Sequence, residues 1–124
     1  MRLLLVDDSR MARATMRRAL RRAQIGVLQM HEAEDGQAAL TILSEHPVDL
    51  VLCDWQMPGM SGLEFLRQKA KLPELADIPV VMISAEGHPG RIQEAMDCGA
   101  RRFLRKPLTR DDLLGAVLAL KDAA

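Results

Sequence analysis

Residues 49–66 read DLVLCDWQMPGMSGLEFL. Leu50 to Cys53 run without a polar break, the pattern of a parallel strand buried on both faces. The run stops at Asp54, and a carboxylate at the edge of a core is costly unless something pairs with it. Trp55 and Gln56 follow, then Met57-Pro58-Gly59 and Gly62, residues suited to a tight turn. Leu63, Leu66 and Ala70 recur at helical spacing beyond it. The stretch is one β-α unit with an acid at the strand's carboxyl end.

The same unit recurs along the chain. Leu3 to Val6 and Val80 to Ile83 are further solid apolar runs. Val27 to His31 alternates and Phe103-Leu104 is short, as suits strands at the edges of a sheet. Between the runs lie helical stripes: Ala12, Met16, Ala19, Leu20 and Ala23; Ala38, Ala39, Ile42 and Leu43; Ile92, Ala95 and Met96; Leu113, Ala116, Val117 and Leu120. Pro89 fits the first turn of the fourth helix and Gly99 its stop, and Thr109 can cap the fifth, with Asp111 and Asp112 complementing its dipole. Five β-α units without linker, repeat or low-complexity tract predict a single domain over residues 1–124. Its fold class is α/β, a flavodoxin-like (βα)5 doubly wound parallel sheet in the order 2-1-3-4-5.

Composition agrees and excludes several classes. A chain of 124 residues, 48% hydrophobic and 27% charged, fits one globular domain. Basic and acidic residues balance at 17 each, so no global field recruits nucleic acid or anionic lipid, and no direct nucleic-acid partner is expected. No apolar stretch is long enough to span a bilayer, and the run after Met1 ends at two aspartates, so the expected place is the cytoplasm. Cys53 and Cys98 lie far apart and read as reduced core thiols.

In a sheet of this kind ligands gather at the carboxyl ends of the strands. Asp7 and Asp8 follow the first strand, Asp54 ends the third, Ser84 ends the fourth and Lys106 follows the fifth. Three carboxylates close together repel one another unless a cation joins them, and hard oxygen donors suit Mg²⁺. With Lys106 as a second positive charge and Ser84 as a hydroxyl donor, the set can receive a phosphoryl group, with Asp54 as the nucleophile.

The stretches LLLVDDSRMARATMRRAL, EAEDGQAAL, DLVLCDWQMPGMSGLEFL, IPVVMISAEG and CGARRFLRKPLT, in this order and spacing, resemble a response-regulator receiver domain. Within that family the likeness is to stand-alone chemotaxis regulators of the CheY type. The resemblance implies that Asp54 is the phosphoacceptor, charged from a phosphohistidine on a histidine kinase or phosphotransfer protein. It implies Asp8 as a direct ligand of Mg²⁺ (or Mn²⁺), Asp7 acting through water, and Gln56 contributing its backbone carbonyl. Lys106 would pair with the phosphoryl group ahead of a cis Lys106-Pro107 bond. Ser84 would swing to a phosphoryl oxygen and Phe103 would turn into the space it leaves. The fourth helix, fifth strand and fifth helix would then bind a downstream effector protein. A phosphoryl group brings about −1.5 to −2 of charge, enough to bias such a two-state pair.

Several residues depart from the commonest family pattern. Ser84 stands for a frequent Thr, Phe103 for a frequent Tyr, and Leu108 for a frequent Phe, while Gln56 and Glu86 occupy positions that influence how water reaches the acyl phosphate. Trp55 is expected to pack without chemistry, most of the eight methionines to fill the core, and His31, His46 and His88 to lie scattered. The arginines at 10, 13, 17, 18, 21 and 22 read as a solvated helix face that could steer an acidic phosphodonor. No enzymatic turnover is expected beyond self-dephosphorylation, and a monomer is expected, with a dimer through the fourth-helix face as the alternative. Two further readings stay open: a receiver cut from a longer regulator with a DNA-binding or enzymatic output, and an aspartate-nucleophile Mg²⁺ phosphatase. The latter usually carries an acid where this chain has Gln56.

Overall fold

The computed structural model describes residues 1–24, 26 and 29–122, with side chains as far as residue 119. Five strands, β1 (Arg2–Val6), β2 (Gln29–Ala33), β3 (Leu50–Asp54), β4 (Val80–Ser84) and β5 (Arg102–Arg105), alternate with five helices. The helices are α1 (Arg10–Arg22), α2 (Gly36–Glu45), α3 (Gly62–Ala70), α4 (Pro89–Asp97) and α5 (Arg110–Asp122). All strand pairs are parallel and the order is β2-β1-β3-β4-β5. This is the flavodoxin-like doubly wound sheet expected from the alternation of runs and stripes. Val27 and Leu28, expected to open the second strand, lie outside the described residues, as does the side chain of Leu120.

Alternation along the strands splits the core into two layers. Leu3, Leu5, Leu50, Leu52, Val81 and Ile83 pack with Met16 and Leu20 of α1 and Leu113, Ala116 and Val117 of α5. Leu4, Val6, Val51, Cys53, Val80 and Met82 point the other way, onto Ala39 and Leu43 of α2, Phe65 and Leu66 of α3, and Ala95 of α4. The three central strands are buried on both faces, which is why their sequences are solid apolar runs. Among the described residues no helix is long and apolar enough to cross a membrane.

The helix ends follow side-chain chemistry. Ser9, Asp35, Ser61 and His88 accept the N–H groups of Ala12, Ala38, Glu64 and Arg91 at the starts of α1 to α4. Thr109 and Asp112 exchange bonds at the start of α5, the hydroxyl accepting from Asp112 N and the carboxylate from Thr109 N, at 3.0 and 3.1 Å. Gly99, at φ +105°, ends α4 as expected.

Two stripes differ from expectation. In α3 Ala70 is exposed and Lys69 is buried in its place, its ammonium donating to the Ala76 carbonyl at 3.0 Å. The apolar stem of a lysine covers core surface as an aliphatic residue does, so a stripe read from apolar letters alone passes over it. In α4 Ala95 is buried but Met96 is 40% exposed, because the helix meets the sheet along a narrow line. The histidines are not all scattered either: His31 of β2 and His46 at the end of α2 stack with ring centroids 4.5 Å apart.

Candidate functional site

Strand register builds the site. Val6 pairs with Cys53 and Asp54 with Ile83, so Asp7, one step past β1, stands beside Asp54 at the end of β3. Ser84 pairs with Arg105, and Lys106 N–H donates to the Ser84 carbonyl at 2.8 Å, which sets the lysine at the same rim. Period-two alternation continues past the strand ends. Asp7, Asp54 and Lys106 share the parity of Leu5, Leu52 and Leu104, and their side chains meet.

Lys106 Nζ lies 3.2 Å from Asp7 Oδ2 and 3.3 Å from Asp54 Oδ1. Asp7, Asp8 and Asp54 each offer an oxygen within 4.8 Å of the others. Asp7 and Asp54 are buried and Asp8 is exposed. The other Asp7 oxygen accepts Ser9 N–H at 2.9 Å, and the Arg13 guanidinium donates to the Asp7 carbonyl, so the backbone bearing the acid is fixed from two sides. A cleft of about 260 Å³ opens here, lined by Asp8, Asp54, Gln56, Ser84, Glu86 and Lys106. A larger, mostly apolar groove of about 520 Å³ between α1 and the start of α5 shares Ala85 and Lys106 with it, and Asp7 and Arg110 are the other charged groups on its wall.

Three carboxylates against one ammonium leave the pocket electronegative. Burial and then the Asp7 charge push the Asp54 carboxyl above its ordinary pKa, more than Lys106 pulls it down. Burial alone would lower Lys106, but Asp54 and Asp7 outweigh it and hold the ammonium protonated above the usual lysine value. Burial raises the Cys53 thiol, with the Asp54 and Asp7 charges adding to it, and its S–H donates to the Asp54 carbonyl at 3.3 Å, an inert core thiol as expected. Hard oxygen donors, mutually close and short of positive charge, fit a divalent cation of the Mg²⁺ class.

The turn after Asp54 is held by its backbone. Trp55 N–H donates to Ile83 O and Gly62 N–H to Trp55 O, both at 2.8 Å. A Cβ at Gly62 would sit 2.4 Å from the Asp54 carbonyl oxygen, so glycine is what lets α3 start against the strand end. Lys106-Pro107 is cis, the geometry that the resemblance implied.

Trp55, Ser84 and Phe103 take the opposite parity and face α4. Ser84 is buried, and its Oγ accepts Glu86 N–H at 3.1 Å. Phe103 is half-buried and meets Trp55 edge to face, with centroids 6.2 Å apart. Asp7, Asp8, Asp54, Gln56, Ser84 and Lys106 are therefore at this rim, while Phe103 lies within β5 opposite Met82, beside Trp55. His88 caps α4 through Nδ1 and does not line the cleft. Sequence reading passed over the surroundings of Trp55: Arg91 lies over its ring, 4.6 Å from the centroid, and pairs with Glu86. The parity of Trp55 with Val51 and Cys53 was the available signal. Two arginines of α1 are not merely solvated, since Arg13 and Arg17 both bind Glu32 of β2.

A family model described as the response regulator receiver domain matches residues 3–118. Chemotaxis protein CheY-3 of Vibrio cholerae is 38% identical over 109 residues, covering 88% of this chain and 82% of the relative. Among solved structures, chemotaxis protein CheY4 of Vibrio cholerae superposes with a TM-score of 0.87 at 29% identity, covering 96% and 97% of the two chains. The signal receiver domain of the putative response regulator NarL from Mycobacterium tuberculosis gives 0.84 at 34% identity, covering 99% and 97%.

Proposed function

The chain belongs to the response regulator receiver domain family, and on that premise we propose that Asp54 is its phosphoacceptor. As a response regulator it takes part in two-component signalling. The observation that carries the assignment is the meeting of Asp7, Asp8 and Asp54 around one ammonium, Lys106, at hydrogen-bond range of two of them.

An Asp54 carboxylate oxygen bonds to phosphorus as the phosphorus–nitrogen bond of a donor phosphohistidine breaks, the electron pair returning to the imidazole. Lys106 moves its ammonium from the Asp54 carboxylate to a phosphoryl oxygen, and Ser84 exchanges its bond with Glu86 N–H for one to another. Asp8 and Asp54 would hold Mg²⁺ (or Mn²⁺) directly, with Asp7 through water and the Gln56 carbonyl beside them. That cation supplies charge neutralisation for the transferring group. With Ser84 drawn inward, Phe103 turns toward the vacated space and alters the face formed by α4, β5 and α5, where an effector protein binds. The donor is a histidine kinase or phosphotransfer protein.

The likeness to CheY-3 across 82% of its length favours a stand-alone chemotaxis-type regulator working as one domain over residues 1–124 in the cytoplasm, a phosphoacceptor without turnover beyond self-dephosphorylation. The test is incubation with a small acyl-phosphate donor, followed by mass and by the emission of Trp55, the only tryptophan. One phosphoryl group is expected to add, only with Mg²⁺, and not to Asp54→Asn. Uptake by that variant at an unchanged level would overturn the assignment.

A further inference from the structure

Glu86 adds a fourth carboxylate to the cleft, and the structure shows what restrains it. Its Oε2 lies 3.3 Å from Arg91 Nη2. The Arg91 side chain is only 19% exposed, that of Glu86 59%, so the arginine is the fixed partner and the acid the loose one. The guanidinium is held over the Trp55 ring, and the Arg91 backbone N–H is tied to His88 Nδ1 at 3.2 Å, in the first turn of α4. Glu86 itself lines the cleft, and its own N–H is bonded to Ser84 Oγ. The buried Nη1 of Arg91 has no hydrogen-bond partner among the described residues. Solvation therefore does little to hold this cation where it is, whereas the ring and the carboxylate do.

We propose that Arg91 is a positioning residue for phosphoryl entry: anchored on Trp55, it holds the Glu86 carboxylate neutralised at the mouth of the cleft, so that an anionic phosphodonor meets less negative charge on its way to Asp54. The inference rests on Asp54 being the acceptor. The physical basis is simple electrostatics. A donor anion approaches a pocket with three acids and one lysine, and an unpaired Glu86 adds one more repulsive charge on the approach path. With acetyl phosphate as donor, the Asp54–phosphorus bond forms while the phosphorus–oxygen bond to the acetyl group breaks. Acetate leaves with the electron pair and no proton changes hands. Hydrolysis of the acyl phosphate uses neutral water, so the salt-dependent part of the Arg91 effect belongs to entry of the anionic donor.

The test follows Trp55 emission in the wild type and in Arg91→Ala, Arg91→Gln, Arg91→Lys, Glu86→Gln and the Glu86→Gln/Arg91→Ala pair, with acetyl phosphate and Mg²⁺. Removing the cation should slow phosphorylation about twofold to fivefold at low salt, the range of a half-exposed ion pair, and the deficit should vanish at high salt. The double variant, with both charges gone, should react at about the wild-type rate, Glu86→Gln at least as fast, and Arg91→Lys should retain the wild-type rate. Both Arg91→Lys and Arg91→Ala should shift Trp55 emission before any donor is added, because the planar stack is lost. An equal slowing of Arg91→Ala and the double variant, or of Arg91→Lys and Arg91→Ala, would overturn the proposal in favour of packing alone. If no chain takes up phosphate, or Asp54→Asn takes it up unchanged, the acceptor assignment fails instead.

Discussion

Asp54 is placed where its own charge is unwelcome. It is 7% exposed, and burial together with Asp7 raises its pKa despite the adjacent ammonium of Lys106. The folded state therefore holds the Asp54 proton to a higher pH than the unfolded chain does. The charged form costs stability, and that loss sets in as pH rises from the ordinary carboxylate value, about 3.9, through the raised folded one. With a chelator present, Asp54→Asn is expected to be more stable than the wild type by about 1 kcal/mol at pH 7, and nearly equal to it near pH 4. Urea unfolding at the two pH values measures this. An Asn variant that is less stable at pH 7 would mean that the Lys106 ion pair outweighs burial. At this scale the acids and the lysine were legible, because each stands at or just past the end of an apolar run. Glu86 was singled out only through the family resemblance, and Arg91 and its pairing with that acid were not, since an ion pair beside a ring on another element leaves no trace in local spacing.

Among the elements, α3 shows best what apolar lettering misses. Its buried face is Gly62, Leu63, Phe65, Leu66 and Lys69, a regular helical stripe once the lysine stem counts as hydrocarbon. The amine is not at ease there. Burial lowers the pKa of Lys69, Asp77 opposes the shift and Arg101 adds to it. Its one bond goes to the carbonyl of Ala76, in the segment that leads into β4. Replacing Lys69 by Met keeps the length and shape and removes the desolvated charge, which should raise stability by about 0.5–1 kcal/mol at pH 7. Because the folded-state pKa is depressed, the unfolded chain binds more protons in the window up to the ordinary lysine value, and wild-type stability climbs with pH there. The advantage of Lys69→Met should accordingly shrink as pH approaches 10, as thermal melts across pH would record. A variant that loses stability at both pH values would show that the bond to Ala76 outweighs the buried charge.

On the scale of the whole molecule, the sheet was legible because each central strand must be apolar on both faces and each helix on one, and that pattern dictates five β-α units. The strand order then fixes which residues share a rim, and carboxylates separated by nearly fifty positions become neighbours. Such a site exists only in the folded chain, so a cation that binds it stabilises the entire domain by mass action. Mg²⁺ at a hundred times its dissociation constant contributes about 2.7 kcal/mol, or roughly 8–13 °C in Tm for a domain of this size. The shift should follow Mg²⁺ concentration, disappear with a chelator and not be reproduced by a potassium salt at equal ionic strength. Asp8→Asn and Asp54→Asn should each lose most of it, the former without the gain in metal-free stability expected of the latter, since Asp8 is exposed and Asp54 is not. A full Mg²⁺ shift in Asp8→Asn would place the ion elsewhere on the molecule, and with it the charge that the phosphoryl pocket requires.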